Sequence, residues 1–276
     1  MPRSTRHAPL PDSRPCLTGR AENAFPPAAA LRIESRSFGE RFPPTAIHIA
    51  MSDEKVVETF DRWAEEGRDK GMEEGHGDVV RQVIERMGIR AGERILDLGC
   101  GNGWATRLLA QTEAGVQAIG VDASPKMIAK ADELHSFTIR SRYDWGSFEN
   151  LEFKDAEFDR IFSMEALYYA KDLDKAISEA FRVLKPGGKS DVLVDYYHES
   201  EASAPWAEIM ELDLHRLDEA GWRAAFERAG FTGVTTERVI DSRGFSAEGC
   251  DECSPDVEAK RKLHEAGTLW IHAEKA

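Results

Sequence analysis

Hydrophobic positions recur along this chain with periods that change from segment to segment. Over residues 53–66, Val56, Val57, Phe60 and Trp63 share one helical face, which predicts an amphipathic helix with Trp63 in its core-facing stripe. Ser52 stands at the N-cap position, and Asp53 and Glu54 follow in the first turn, where acids suit the helix dipole. Lys55 stands where a capping box would want Glu or Gln, so the cap is partial. A glycine-punctuated stretch follows (Gly67, Gly71, Gly75, Gly77), open to two readings, a cover segment over 71–77 or a glycine-rich hinge, and residues 77–88 predict a second helix with Val79, Val80, Val83, Ile84 and Met87 inward.

Strand and helix then alternate. Short apolar runs predict strands at 94–98, 116–121, 158–163, 189–196, 231–240 and 267–274, with a further strand at 137–143 interrupted by Thr138, Arg140 and Arg142. Helices are predicted at 104–111, 125–134, 173–184 and 218–229. Ser124 starts the second of these, with Pro125 at its first position, and Lys185-Pro186-Gly187-Gly188 ends the third. Strands separated by helices imply a mostly parallel α/β sheet covered on both faces. The last two strands lack a crossover helix of the usual kind, so an antiparallel edge strand is expected there. Residues 241–266 read as an acidic surface insertion.

Residues 1–50 break this regularity. They hold 8 of the 12 prolines, and seven arginines against four acids give them a charge of +3, leaving −17 for the remainder. No period of 2 or 3.6 persists, and Pro26-Pro27 and Pro43-Pro44 stop any helix. Four acids and eight prolines fit a transit peptide poorly, and no apolar core of a secretory signal is present. Two readings remain: a disordered tail, or translation that starts at Met51. Either way the expected folded unit is residues 51–276, with N-terminal helices over 53–90 as a cover.

Composition narrows the function classes. The 276 residues carry 41% hydrophobic and 31% charged side chains, a balance typical of a globular chain. No run approaches the ~18–20 apolar residues of a membrane-spanning helix. Four scattered cysteines do not make a disulfide framework and point to a reducing compartment, the cytoplasm. A net charge of −14 argues against a broad nucleic-acid-binding face. Cys250 and Cys253 have the spacing of half a zinc site or a redox pair, but no second pair completes one, so no metal is expected.

The chemistry concentrates in Leu96-Asp97-Leu98-Gly99-Cys100-Gly101-Asn102-Gly103, between the first strand and a helix. Glycines there allow a tight turn and close approach of a ligand to the backbone. Asp97 precedes them at the strand's end. A carboxylate at that place pairs with an ammonium and repels a pyrophosphate, which disfavours a nicotinamide dinucleotide. Asp122 ends the second strand, where an acid accepts hydrogen bonds from ribose hydroxyls. Together the two acids point to a nucleoside carrying an amino-acid tail.

These residues resemble the class I S-adenosylmethionine-dependent methyltransferases, in particular the small-molecule "methyltransferase domain 11" group. Further matching runs are Val121-Asp122-Ala123-Ser124-Pro125-Lys126-Met127, Phe158 to Ser163, and Arg182 to Gly188. The resemblance covers residues 55–240. It implies a Rossmann-like seven-stranded sheet of order 3-2-1-4-5-7-6 with strand seven antiparallel, S-adenosylmethionine as cofactor and S-adenosylhomocysteine as product. It also implies that Asp97, Gly99, Cys100, Gly101, Asn102 and Gly103 hold the methionine end. Asp122 would hold the ribose, Met127 would pack near the adenine, and Ala123, Phe148 and Ser163 would be further cofactor-binding residues. Ser147 stands where the family usually has an acid for the adenine amino group, which leaves the adenine contacts open.

Methyl transfer is a direct displacement that the cofactor drives, so no catalytic signature is required. Candidates for acceptor chemistry lie in loops at the strands' carboxyl ends: Glu165 and Tyr168 after the fourth strand, His198 after the fifth, and His76 before the first. The run Met164-Glu165-Ala166-Leu167-Tyr168-Tyr169 lacks the Asn/Asp-Pro-Pro-Tyr motif of nucleic-acid amino-methyltransferases. The expected partner is a small-molecule acceptor. The competing readings are a non-catalytic cofactor-binding protein on the same fold and a nicotinamide-linked oxidoreductase.

Overall fold

A computed structural model describes residues 54–247 and 256–276. The tail at 1–50, Ser52 and the Cys250/Cys253 pair lie outside the described residues.

The chain opens with two helices, α1 (Glu54–Glu66) and α2 (Lys70–Met87). It then runs β1 (Arg94–Leu98), α3 (Trp104–Leu109), β2 (Gln117–Asp122), α4 (Pro125–Glu133), β3 (Ser141–Trp145) and β4 (Phe158–Met164). Next come α5 (Leu173–Val183), β5 (Leu184–Val194), a short α6 (Trp206–Met210), α7 (Glu219–Arg228), β6 (Thr232–Val239), α8 (Val257–Ala266) and β7 (Thr268–Glu274). The seven strands form one sheet in the order β3-β2-β1-β4-β5-β7-β6. Strands β1 to β5 pair in parallel, and β7 runs antiparallel to both β5 and β6.

Period-2 alternation splits the strands' side chains between two cores. Leu96, Leu98, Ile119 and Val121 face α5 and α7, whose Ile177, Trp222 and Phe226 are fully buried. Ile95, Ala118 and Phe162 face α2 and α3, with Val80, Val83 and Leu109 against them. Asp side chains cap three helices: Asp172, Asp218 and Asp256 accept from the backbone N–H three residues on. Ser124 caps α4 as its sequence suggests, accepting from the Met127 N–H at 3.0 Å.

Four expectations change. The third strand lies at Ser141–Trp145, beyond the predicted 137–143, because the exposed Phe137 and Thr138 belong to a turn. The glycine hinge is helical: α2 starts at Lys70 and runs through Gly71, Gly75 and Gly77. Lys185 to Gly188 joins the start of β5, where the pairing with β4 slips between Phe158↔Leu184 and Arg160↔Lys189. The antiparallel strand β7 is interior, leaving β6 at the edge, and α8 occupies the C-terminal part of the predicted insertion.

Candidate functional site

The carboxyl ends of β1, β2, β4 and β5 converge under α1 and α2 on a cavity of about 1090 Å³. Gly99, Gly101 and Gly103 all have φ between 53° and 77°, a region that suits residues without a Cβ. At Gly99 a Cβ would also stand 2.1 Å from that of Ala166, so the β1 and β4 loops touch only because a hydrogen is there. At Gly103 a Cβ would strike the Tyr143 ring at 2.3 Å, which makes this glycine a packing requirement.

Two carboxylates anchor the loop. Asp122 accepts the Gly101 N–H at 2.8 Å on one oxygen and the Ser124 N–H at 2.9 Å on the other. Burial nevertheless pushes its carboxyl up to about 6. Asp97 is 1% exposed and accepts from the Thr106 hydroxyl at 2.6 Å. Its carboxyl is pushed up to about 7, first by desolvation and then by the neighbouring charge of Asp122. Both are acids held largely out of water, and among the described residues neither pairs with a cation. A ligand that brings a positive charge or hydroxyl donors would relieve them.

The cavity wall includes Gly99, Cys100, Gly101, Asp122, Ala123 and Phe148. Asp97, Asn102, Gly103, Met127, Ser147 and Ser163 are buried and not part of that wall. Several of them bond within the protein. The Asn102 amide donates to the Asp69 carbonyl (3.0 Å) and carboxylate (3.1 Å), tying the glycine loop to the start of α2. Ser163 donates to the Leu98 carbonyl at 2.8 Å, and Ser147 accepts the Glu149 N–H at 3.1 Å. Cys100 is a free, buried thiol that burial pushes up, so it is no ready nucleophile.

Of the candidates for acceptor chemistry, Glu165, Tyr168 and His76 line the cavity, whereas His198 is exposed and outside its wall. Glu165 sits at φ 52°, a conformation rare for a residue with a side chain, directly after β4. One carboxyl oxygen accepts from the Tyr168 hydroxyl at 2.7 Å and the other from the Asp195 N–H. Burial and the Asp195 charge hold the Glu165 carboxyl well above its usual range, and burial pushes the Tyr168 phenol up as well. His76 projects from α2 with Nδ1 3.6 Å from Asp195 Oδ2.

Three contributors are missed by the sequence reading. Trp63 lines the cavity, with the Arg68 guanidinium 4.3 Å from its ring centre, while Val56 and Phe60 of the same helix pack on the core. Asp195 enters through the turn of β5. Residues 241–246 with Lys260, Leu263 and His264 of α8 close the outer side, although their sequence reads as a surface insertion. Among the described residues no group of His, Cys, Asp and Glu could hold a metal ion, and no helix is long and apolar enough to cross a membrane.

Comparison with known proteins agrees with this geometry. Residues 96–190 match the family described as "Methyltransferase domain". The O-methyltransferase resE of Aspergillus sclerotiorum is 30% identical over 231 residues, which span 77% of this chain and 87% of that protein. The structure of a Haloferax volcanii methyltransferase, solved in complex with the Trm112 methyltransferase activator, superposes with a TM-score of 0.71. It shows 33% identity over 78% of this chain and 96% of its own. A Haemonchus contortus phosphoethanolamine N-methyltransferase 2, solved with phosphomonomethylethanolamine and S-adenosylhomocysteine, gives a TM-score of 0.55 at 25% identity. That likeness covers 71% of this chain and 52% of the other.

Proposed function

The chain belongs to the S-adenosylmethionine-dependent methyltransferases, and from that premise we propose that it methylates a small-molecule acceptor in the cavity beneath α1 and α2. The observation that carries this reading is the pair of desolvated carboxylates, Asp97 and Asp122, beside a turn whose Gly99 and Gly103 leave no room for a Cβ.

The residues present fit the cofactor. Asp97 gives a buried negative charge for the amino-acid ammonium, reached through the thin backbone at Gly99 and Gly101. Asp122 keeps lone pairs for the ribose hydroxyls while two backbone N–H groups hold it still. Ala123 and Phe148 supply apolar wall for the base, with Met127 fully buried in α4. Bound there, S-adenosylmethionine supplies a sulfonium methyl group for direct displacement. The protein's share is alignment and exclusion of water.

Phe60, Trp63, Tyr169 and Trp206 form an apolar, aromatic wall suited to an organic acceptor. The segment 54–87 acts as the cover. Asp61 of α1 accepts from the Ser124 hydroxyl at 2.5 Å, and Lys126 meets Glu65 at 2.6 Å, which fastens this cover beside Asp122. A cavity of this volume has room for a small molecule, and the −14 net charge disfavours nucleic acid. The free, buried Cys100 thiol accords with a reducing, cytoplasmic setting.

Titration of the full-length chain with S-adenosylhomocysteine, followed by calorimetry, tests the reading. Saturable 1:1 binding that Asp97→Ala weakens supports it; equal behaviour of variant and parent counts against it.

A further inference from the structure

We infer that His76 is the general base of the reaction, that Asp195 is its positioning residue, and that the acceptor atom is a hydroxyl oxygen on an apolar scaffold. The inference rests on the methyltransferase reading above and assigns the acceptor side of the same cavity.

Four observations converge on His76. First, its helical turn is clamped from outside. Arg243, held by Asp241, donates through Nη1 to the Glu74 carbonyl at 2.8 Å and through Nη2 to the Gly75 carbonyl at 3.2 Å. Ser242 adds bonds to Asp78 at 2.7 and 2.9 Å. The imidazole therefore projects from a fixed stretch of α2, not from a loose hinge.

Second, Asp195 Oδ2 faces Nδ1 at 3.6 Å, within ion-pair range and longer than a hydrogen bond. A carboxylate on Nδ1 selects the tautomer with its lone pair on Nε2. Asp195 itself is placed by the bond from its backbone N–H to Glu165. Third, Glu165 is taken: both carboxyl oxygens accept from the protein, so it braces Asp195 and leaves proton transfer to His76. Fourth, the His76 side chain is 31% exposed, which gives the transferred proton a way out to solvent.

The charged and titratable groups lining the cavity with His76 are Glu74 and Arg68 near its own helix, Asp122, Glu149, Glu165 and Lys171 at the strand ends, Asp195, Asp241 and Arg243, and Lys260 and His264 of α8. Arg243 is occupied in the clamp, and His264 lies beside Phe245 on the outer wall, 6.1 Å between ring centres.

The chemistry then selects the acceptor. A neutral amine can attack first and lose its proton afterwards, so a base adds little. A carboxylate carries no proton to remove, and the Asp195 charge would repel it. A hydroxyl is a poor nucleophile whose proton becomes acidic as the new bond forms, which is where a poised imidazole acts. In the step, the hydroxyl oxygen forms its bond to the methyl carbon and the carbon–sulfur electron pair stays with sulfur. The hydroxyl proton passes to Nε2, and the resulting imidazolium faces Asp195. Total charge in the site is unchanged.

The test uses the full-length chain, S-adenosylmethionine labelled with tritium in the methyl group, and a low-molecular-mass metabolite extract of the source cells as acceptor pool. Products sort by chemistry: esters release volatile methanol in base, amines move into acid, and ethers stay neutral and base-stable. The inference expects label in the ether fraction. His76→Gln should lower the rate by ~10²–10⁴-fold and flatten the acid-side decline of the pH–rate profile. Asp195→Asn should lower the rate at least ~10-fold and displace the same profile, with partial rescue by Asp195→Glu. S-adenosylhomocysteine affinity should stay within about threefold in all three variants.

Label in the ester or amine fraction overturns the inference. So does His76→Gln with a near-parental rate and profile, and so does no label at all while S-adenosylhomocysteine still binds. Failure of the parent to bind S-adenosylhomocysteine would instead sink the cofactor reading.

Discussion

Asp97→Asn should make the ligand-free protein more stable while making it a worse binder. The carboxyl is buried and its pKa rises from 3.8 to about 7 on folding. Below its unfolded pKa the group is protonated in both states and costs nothing. As pH climbs from 3.8 to about 7, the unfolded chain releases the proton first, so stability is lost across that window. At 1.36 kcal/mol per pH unit the penalty is about 4 kcal/mol at pH 8 and about 2 kcal/mol at pH 5.5. Asparagine has nearly the same shape and still accepts from Thr106, but its buried amide needs a partner at a cost of ~1–3 kcal/mol. The net gain at pH 8 is therefore ~2 kcal/mol, or ~4–8 °C in Tm for a domain of this size. Thermal unfolding by circular dichroism, without ligand, at pH 5.5 and pH 8 reads it. The variant should lead at pH 8 and lose most of that lead at pH 5.5. A gap that stays constant with pH, or a variant less stable than the parent at pH 8, would refute the reasoning. The same variant should bind S-adenosylhomocysteine more weakly at pH 8, because the desolvated charge that costs stability is the one offered to the ligand's ammonium.

Further outcomes follow from named contacts. Gly99→Ala should abolish S-adenosylhomocysteine binding measured by calorimetry, since its Cβ would overlap Ala166 at φ 72°. Gly77→Ala should be tolerated and raise stability by ~0.5–1 kcal/mol, because its Cβ meets only the flexible end of Arg81 within a helix. Asp191→Ala should cost ~3–5 kcal/mol in urea unfolding. Asp191 is fully buried, accepts from Trp270 at 3.0 Å, bonds His272 at 2.7 Å and faces Arg160 at 3.9 Å. Asp61→Ala should release α1 from Ser124, seen as faster amide exchange in residues 54–66 and a loss of ~1–2 kcal/mol in cofactor affinity.

What was legible in the sequence was whatever local chemistry dictates. Period and glycine placement give β1, its loop and α3, and Ser124-Pro125 gives the start of α4 to the residue. Asp97 and Asp122 stand out because acids at strand ends are costly without a ligand. The hinge reading of 67–77 failed because three glycines weigh against a helix locally, while Asn102–Asp69 and the Arg243 clamp hold α2 from outside. Trp63 was assigned to the helix core since periodicity marks an apolar face without saying what it faces. Asp195 and Glu165 are 30 residues apart, and only the parallel pairing of β4 with β5 brings them together. The acceptor wall at 241–246 and α8 was hidden for the same reason: its polar, charged sequence looks like surface, yet β7 folds back through the sheet and brings it over the cavity.

The most direct test of the account is calorimetric titration of S-adenosylhomocysteine into the full-length chain, beside Asp122→Ala. The account predicts one saturable site in the parent and a loss of ~10-fold or more in the variant, as expected for removing a charged hydrogen-bond acceptor. Absence of binding in the parent at millimolar ligand, or equal affinity in the two proteins, would contradict it.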